Sequence, residues 1–268
     1  MASSEGFISG GGYKVHYVEW GLKGPSIVLI HSMGMDDHSM DKLCESLKSS
    51  YKILSLTILG HGDSDVPTVV VPLLQHAELM RQCIKKKGFK SYSLIGHSIG
   101  GMMGMILAAD HPDEIQGLVL VDIAPSDPNA PRPFRMTRPQ PPDSFRNESE
   151  ARAYLKERYP DFDSYYVENR LRYSFRHDGE TWRLKPIGDS IRAGMGIDLW
   201  PYVEKIKCPT LLLIGGAGSM ISQGTVDQMK KYLPELEAVT IQGAGHMIPQ
   251  EKPDDFKRFI EAFLKKLP

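Results

Sequence analysis

The chain has 268 residues, of which 41% are hydrophobic, and a formal net charge of −1. This length and apolar content suit one large domain with a substantial core, or a core that carries a modest insertion. The nearly neutral charge argues against nucleic acid or an anionic membrane as a partner held by bulk electrostatics.

Apolar runs that alternate with helix-like segments predict a mostly parallel sheet covered on both faces by helices. The first strand alternates in character and suits the edge of the sheet, whereas the later continuous apolar runs suit strands buried on both faces. The last segment spaces its apolar residues as an amphipathic closing helix. The predicted strands cover residues 13–19, 26–30, 51–56, 91–95, 117–122, 210–214 and 237–241, and the predicted helices cover residues 73–87, 101–109 and 256–264.

The character of the sequence changes between residues 126 and 205. Residues 128–142 are crowded with proline and arginine, which excludes regular helix or sheet there, and helical spacing follows at 148–158 and 164–175. Long excursions without a function are uncommon, so we interpret this segment as an inserted cap. The predicted organisation is a core in two parts, residues 1–125 and 206–268, with a helical cap at residues 126–205.

A glycine-rich pentapeptide, Gly96-His97-Ser98-Ile99-Gly100, joins the predicted strand 91–95 to the predicted helix 101–109. In this context Gly-x-Ser-x-Gly forms a sharp strand-to-helix turn that exposes a serine hydroxyl at the end of a sheet. The glycines are needed because a side chain at either position would crowd the turn. A chance match in an ordinary turn is the alternative, but both flanks agree with the turn, so Ser98 is the candidate nucleophile.

A serine hydroxyl needs a base within hydrogen-bond reach, and His246 is the candidate. It lies in the glycine-rich segment 243–249, directly after the last predicted strand. That position places it at the carboxyl edge of the sheet, where an open parallel sheet collects its active site. A structural histidine in a turn is the alternative interpretation.

Four segments together resemble the α/β-hydrolase family, and the resemblance covers nearly the whole chain outside the predicted cap. The resemblance implies the α/β-hydrolase fold and the chain order serine, acid, histidine. The backbone N–H of Ile99, next to the candidate nucleophile, is one expected donor to an oxyanion. The resemblance implies the N–H of Met33 as the second donor. The four segments are residues 30–34, 59–64, 96–101 and 243–249.

The acid departs from the family's usual pattern, because Ser219 stands where most relatives carry the carboxylate after the strand 210–214. We predict that Asp122, which ends the strand 117–122, is the acid instead. This arrangement resembles that of some branches of the family. Sequential strands usually lie side by side, so the Asp122 carboxylate should emerge near Ser98 and reach His246. Two alternatives stay open: Asp122 as a cap of the following turn, and Asp227 as a weaker candidate acid.

These residues predict a serine hydrolase that cleaves carboxylic esters through an acyl-enzyme, acting on a small-molecule ester or lactone. A lactonase, a carbon–carbon bond hydrolase, a cofactor-free haloperoxidase and, from another class, a non-catalytic small-molecule receptor stay open. A dehalogenase or an epoxide hydrolase is disfavoured, since the resemblance implies that those enzymes carry an aspartate at the position of Ser98. We call this strand-to-helix turn, residues 96–100, the elbow.

The remaining expectations concern location and partners. The cysteines, Cys44, Cys83 and Cys208, are widely spaced and odd in number, and the first residues lack the features of a signal peptide. These features predict a cytoplasmic protein. We also expect a monomer or homodimer, with no metal, cofactor, nucleic acid or membrane partner.

Overall fold

A computed structural model describes residues 4–126, 141–186, 191 and 196–267. The strands are β1 (Ser4–Gly10), β2 (Tyr13–Trp20), β3 (Ser26–Ile30), β4 (Lys52–Leu56), β5 (Tyr92–His97), β6 (Ile115–Val121), β7 (Phe175–His177), β8 (Trp182–Leu184), β9 (Thr210–Gly215) and β10 (Glu237–Ile241). The helices are α1 (Asp41–Leu47), α2 (Leu73–Lys86), α3 (Ile99–Asp110), α4 (Glu148–Arg158), α5 (Ser164–Tyr173), α6 (Trp200–Val203), α7 (Gln223–Tyr232), α8 (Ile248–Glu251) and α9 (Pro253–Leu264).

Eight of these strands form one sheet in the order β1-β2-β4-β3-β5-β6-β9-β10. The pairs β1–β2 and β2–β4 are antiparallel and every other neighbouring pair is parallel. The carboxyl ends of β3, β5, β6 and β9 therefore meet at one edge. This is the mostly parallel, helix-flanked sheet that the sequence predicts.

Two apolar clusters, one on each face of the sheet, explain the continuous apolar runs. In β3, Val28 and Ile30 join the cluster that includes α2 and α3, whereas Ile27 and Leu29 join the cluster that includes α1 and α9. Because side chains alternate along a strand, a strand covered on both faces must be apolar at every position. The burial of both faces therefore fixes which residues form the central strands.

The edge hairpin differs most from the expected elements. The predicted strands lie within two residues of observed ones, but the sequence pattern predicts neither β1 nor the short helices α1, α6 and α8. Strand β1 pairs along its whole length with β2 across a turn at Gly11 and Gly12, both of which have positive φ. Its outer position leaves only Gly10 buried, so no apolar pattern marks it.

The described part of the predicted cap contains α4, α5 and a hairpin of β7 and β8 around a separate apolar cluster. The helices match the spacing seen in the sequence, but the hairpin was not predicted, so the description of this segment as helical is incomplete. Residues 127–140, most of the predicted extended stretch, lie outside the described residues, as do 187–190 and 192–195. Among the residues that are described, no helix combines the length and apolar character needed to cross a bilayer.

Candidate active site

The turn after β5 holds Ser98 in a conformation that glycines on either side permit. Ser98 has a φ of 52°, and α3 begins at the next residue. A Cβ on Gly96 would lie 2.4 Å from the carbonyl oxygen of Gly100, and one on Gly100 would lie 2.2 Å from that of Ile30. Backbone atoms cannot move away from such contacts as a flexible side chain can, so the turn requires glycine at both positions.

Asp122 directly follows β6, at the strand end next to the turn. The Ser98 N–H donates to the carbonyl oxygen of Val121 at 3.0 Å, and the Asp122 N–H donates to that of Leu213 at 2.8 Å. These two bonds place Asp122 between the elbow and the end of β9. Its φ of 47° lies in the left-handed region, which aspartate tolerates better than most residues.

The Asp122 carboxylate accepts three hydrogen bonds. Nδ1 of His246 lies 2.7 Å from Oδ2, and Oδ1 accepts from the Gly215 N–H at 2.9 Å and from the Ser219 hydroxyl at 2.8 Å. Burial raises the pKa of Asp122, but these three donors outweigh burial and hold its pKa below the ordinary value. The group is therefore an anion at neutral pH, with its side chain only 4% exposed.

His246 presents its other ring nitrogen away from this carboxylate. The bond to Asp122 fixes the proton of the neutral imidazole on Nδ1, which leaves the lone pair on Nε2. The side chain is 48% exposed, so Nε2 is open to a reacting partner. A basic nitrogen held in one tautomer by a buried anion suits general-base chemistry.

His97, inside the elbow, secures the loop that carries His246. Its Nε2 donates to the backbone carbonyl oxygen of His246 at 2.8 Å. Burial, together with the neighbouring His246 ring, lowers the pKa of His97 to about 3. His97 therefore stays neutral and braces the loop that carries His246.

One expected oxyanion donor belongs to the turn that carries Ser98, and the other to the turn that follows β3. Ile99 is the first residue of α3, and a first-turn N–H has no partner within its own helix. Met33 is the second residue of a turn closed by the Met35 N–H donating to the Ser32 carbonyl oxygen at 3.1 Å. Gly34, the third residue, has a φ of 77°, as a type II turn requires, and the turn's own hydrogen bond leaves the Met33 N–H unused.

The turn with Met33 is braced from the core and contacts the loop with His246. His31 lies between two backbone groups: its Nδ1 donates to the Ser32 carbonyl oxygen at 2.7 Å, and its Nε2 accepts from the Ile58 N–H at 2.9 Å. The Ser32 hydroxyl lies 4.0 Å from the Met247 sulfur, next to His246. The predicted site residues therefore gather at one edge of the sheet.

Two findings concern the choice of acid. Asp227, the weaker candidate, is exposed on α7, and its carboxylate accepts from Gln223 at 2.8 Å, one turn earlier on the same helix. Ser219 does occupy the turn after β9, and the sequence did not reveal that its hydroxyl donates to Asp122. No local pattern could have found that contact, because it joins residues 97 positions apart.

Comparison with known proteins places this arrangement in context. A family model described as "alpha/beta hydrolase fold" matches residues 25–253. The chain is 26% identical to a putative esterase/lipase of Haemophilus influenzae, over 95% of this chain and 88% of that protein. It is 29% identical to a fluoroacetate dehalogenase of Burkholderia sp., but over only 40% of this chain and 36% of that protein. The crystal structure of E-2-(acetamidomethylene)succinate hydrolase superposes with a TM-score of 0.83, at 20% identity, over 98% of this chain and 99% of the other.

Proposed function

Because this chain belongs to the alpha/beta hydrolase fold family, we propose that it is a serine hydrolase that cleaves carboxylic esters through an acyl-enzyme. The observation that carries the proposal is the buried Asp122 carboxylate bound to His246 at the strand end beside the Ser98 turn. The similarity to a putative esterase/lipase over most of both chains agrees with this class of substrate.

In the proposed mechanism, the Ser98 oxygen attacks the ester carbonyl carbon while His246 Nε2 takes the hydroxyl proton. Asp122 stabilises the resulting imidazolium and does not itself take the proton. His246 then gives the proton to the leaving alcohol as the carbon–oxygen bond breaks. A water molecule attacks the acyl-enzyme, and its proton passes through His246 to Ser98 as the acid departs.

The tetrahedral intermediates of both steps carry a negative oxygen. The N–H groups of Ile99 and Met33 are the proposed donors; Ile99 begins α3, and Met33 belongs to the turn that follows β3. Such donors act because they are held in place before charge develops, and removal of one costs about 10²- to 10³-fold in rate.

A serine nucleophile separates this proposal from dehalogenation, although a fluoroacetate dehalogenase is among the relatives. The elbow carries Ser98 at the position where the family resemblance implies an aspartate for that chemistry. Lactones and carbon–carbon bonds beside a carbonyl remain competing substrates, because the same serine and histidine serve them.

The test is a substrate panel with the Ser98→Ala variant. The panel contains p-nitrophenyl esters of short and long acids, lactones and a vinylogous diketone. We expect ester turnover in the wild-type protein and a loss of at least about 10⁴-fold in Ser98→Ala with the fold intact. The matched control is Ser93→Ala, which removes a hydroxyl from β5, the strand before the turn, and should retain activity.

Mass spectrometry after treatment with a fluorophosphonate should find the label on Ser98 alone. Near-normal esterase activity in Ser98→Ala would refute the proposal. Turnover of the diketone or the lactones in preference to every ester would shift the assignment to those substrates.

A further inference from the structure

The turn that carries the Met33 N–H is held from the predicted cap as well as from the core. Arg170 of α5 is 4% exposed, and its Nη1 donates to the Gly34 carbonyl oxygen at 3.0 Å. The same nitrogen contacts the sulfur of Met35. The guanidinium therefore binds the two residues that follow Met33 in the turn.

The two braces bind opposite ends of this turn. His31 donates to the carbonyl oxygen of Ser32 before Met33, and Arg170 donates to that of Gly34 after it. The Ser32 carbonyl shares a peptide plane with the Met33 N–H, whereas the Gly34 carbonyl belongs to the peptide that follows Gly34. With both carbonyl groups bound, the two ends of the turn have little freedom to move. The direction of the Met33 N–H depends on the conformation of this whole turn.

Arg170 is a buried cation whose charge is compensated beside the turn. Burial raises the pKa of Asp36, but the hydrogen bond from Ser174 and the charge of Arg170 outweigh burial and hold its pKa below the ordinary value. The Asp36 carboxylate is thus an anion near the guanidinium. The Arg170 side chain also lies against the Tyr159 ring, with the guanidinium carbon 5.1 Å from the ring centroid. The nearby anion and the aromatic ring both stabilise the buried charge of Arg170.

Helix α5 is attached to the core along the segment that follows the turn. Asn169 donates to the Asp41 carboxylate at 3.1 Å, and the Ser174 hydroxyl donates to that of Asp36 at 2.5 Å. Lys42 forms an ion pair at 2.9 Å with Asp163, which caps α5. These contacts join α5 to residues beyond the turn, whereas Arg170 binds the turn itself.

We propose that Arg170 is a positioning residue that holds the turn at 32–35 so that the Met33 N–H faces the developing oxyanion. This inference rests on the proposed hydrolase function. It means that the predicted cap, beyond any contact with substrate, completes the oxyanion site by binding the Gly34 carbonyl. Displacement of α5 would then lower the rate of acyl transfer without removing any catalytic residue.

The experiment compares Arg170→Met and Arg170→Lys with the control Lys42→Met in the full chain. Lys42→Met breaks an ion pair between α5 and the core but leaves the turn untouched. Thermal unfolding of each variant shows whether it is folded. Arg170→Lys retains the positive charge beside Asp36 and serves as the folded variant if Arg170→Met does not fold.

The first measurement is amide hydrogen exchange of peptides that span the turn. We expect Arg170→Met to exchange several-fold faster there, and Lys42→Met to exchange as the wild type does. This measurement needs no substrate. Unchanged exchange in both Arg170 variants would overturn the inference.

The second measurement is kinetic. A misplaced oxyanion donor should lower kcat by about 10- to 100-fold with little change in KM. It should also weaken inhibition by an aryl trifluoromethyl ketone by a similar factor, because the adduct of this inhibitor with Ser98 places an anionic oxygen in the same site. Arg170→Lys should recover part of the loss, since one ammonium group can still donate to Gly34.

Two kinetic results would overturn the role of Arg170 in an active enzyme. A rise in KM at constant kcat would make Arg170 a substrate-binding residue. An equal loss of kcat in Lys42→Met would show that the effect comes from the docking of α5 on the core and not from the contact with the turn. A wild-type protein that hydrolyses no acyl substrate would instead overturn the proposed function, and the inference with it.

Discussion

Replacement of Asp122 by asparagine tests the choice of acid, and the structure fixes how the amide must sit. The Gly215 N–H can donate only to an oxygen, so the amide oxygen stays at the position of Oδ1. The amide NH₂ then takes the position of Oδ2, 2.7 Å from His246 Nδ1. His246 Nδ1 must then accept a hydrogen bond from the amide, so the imidazole proton moves to Nε2. Nε2 thereby loses the lone pair with which it would act as the base.

Such a tautomer error costs about 10⁴-fold in kcat. At about 1.36 kcal/mol for each factor of ten, this is about 5.4 kcal/mol of transition-state stabilisation. The assay is steady-state hydrolysis of the best p-nitrophenyl ester at pH 7.5 to 8. KM should change little, because the carboxylate is buried behind the histidine and does not face substrate.

Two matched variants separate this effect from a general loss of structure. Ser219→Ala removes one of the three donors to Asp122 but leaves the His246 contact, so we expect a loss of about 10- to 150-fold, in keeping with about 1.5–3 kcal/mol for one hydrogen bond to a charged group. Asp227→Asn should be neutral because that carboxylate is exposed on α7. Asp122→Asn activity within tenfold of wild type would show that the acid lies elsewhere or is not needed.

Two further predictions concern stability. Gly100→Ala would place a Cβ 2.2 Å from the Ile30 carbonyl oxygen, so we expect a loss of about 1–3 kcal/mol in the free energy of unfolding, whereas Gly196→Ala, with open space around it, should change little. Burial lowers the pKa of His76 to about 4. As the pH falls below about 6.5, the unfolded chain therefore binds this proton before the folded protein does. The contribution of neutral His76 to stability is complete above that pH and is lost as the pH falls toward 4. In urea titrations between pH 7.5 and 5, His76→Leu should reduce this loss by up to about 1.4 kcal/mol per pH unit, and an unchanged slope would contradict the assignment.

Sequence periodicity predicted the elements whose environment is uniform. Strand β3 is buried on both faces and reads as an unbroken apolar run, and α9 buries one face and shows helical spacing. The hairpin of β7 and β8 is short, carries charged residues and is mostly exposed or half-buried, so its strands lack any such signal. Periodicity reports burial, and elements that bury little leave no pattern to find.

The candidate site likewise contains residues that the sequence predicts and contacts that it does not predict. Ser98 and His246 stand in local glycine-rich segments, and Asp122 follows from one topological rule about neighbouring strands. The contact of Arg170 with Gly34 joins residues 136 positions apart, across the boundary between core and predicted cap. Such a contact depends on how two elements dock, which neither segment encodes alone.

The contacts of Asp122, the proposed acid, give a physical reason why this carboxylate can follow β6 instead of β9. The Asp122 N–H is bound to Leu213 of β9, and the Ser219 hydroxyl from the turn after β9 lies 2.8 Å from the Asp122 carboxylate. The ends of β6 and β9 thus deliver their side chains to one small volume beside His246 Nδ1. Two carboxylates in that volume would repel each other, and one would have to take up a proton. A hydroxyl at position 219 avoids this conflict and stabilises the anion, so the serine at the usual acid position complements Asp122 as the partner of His246.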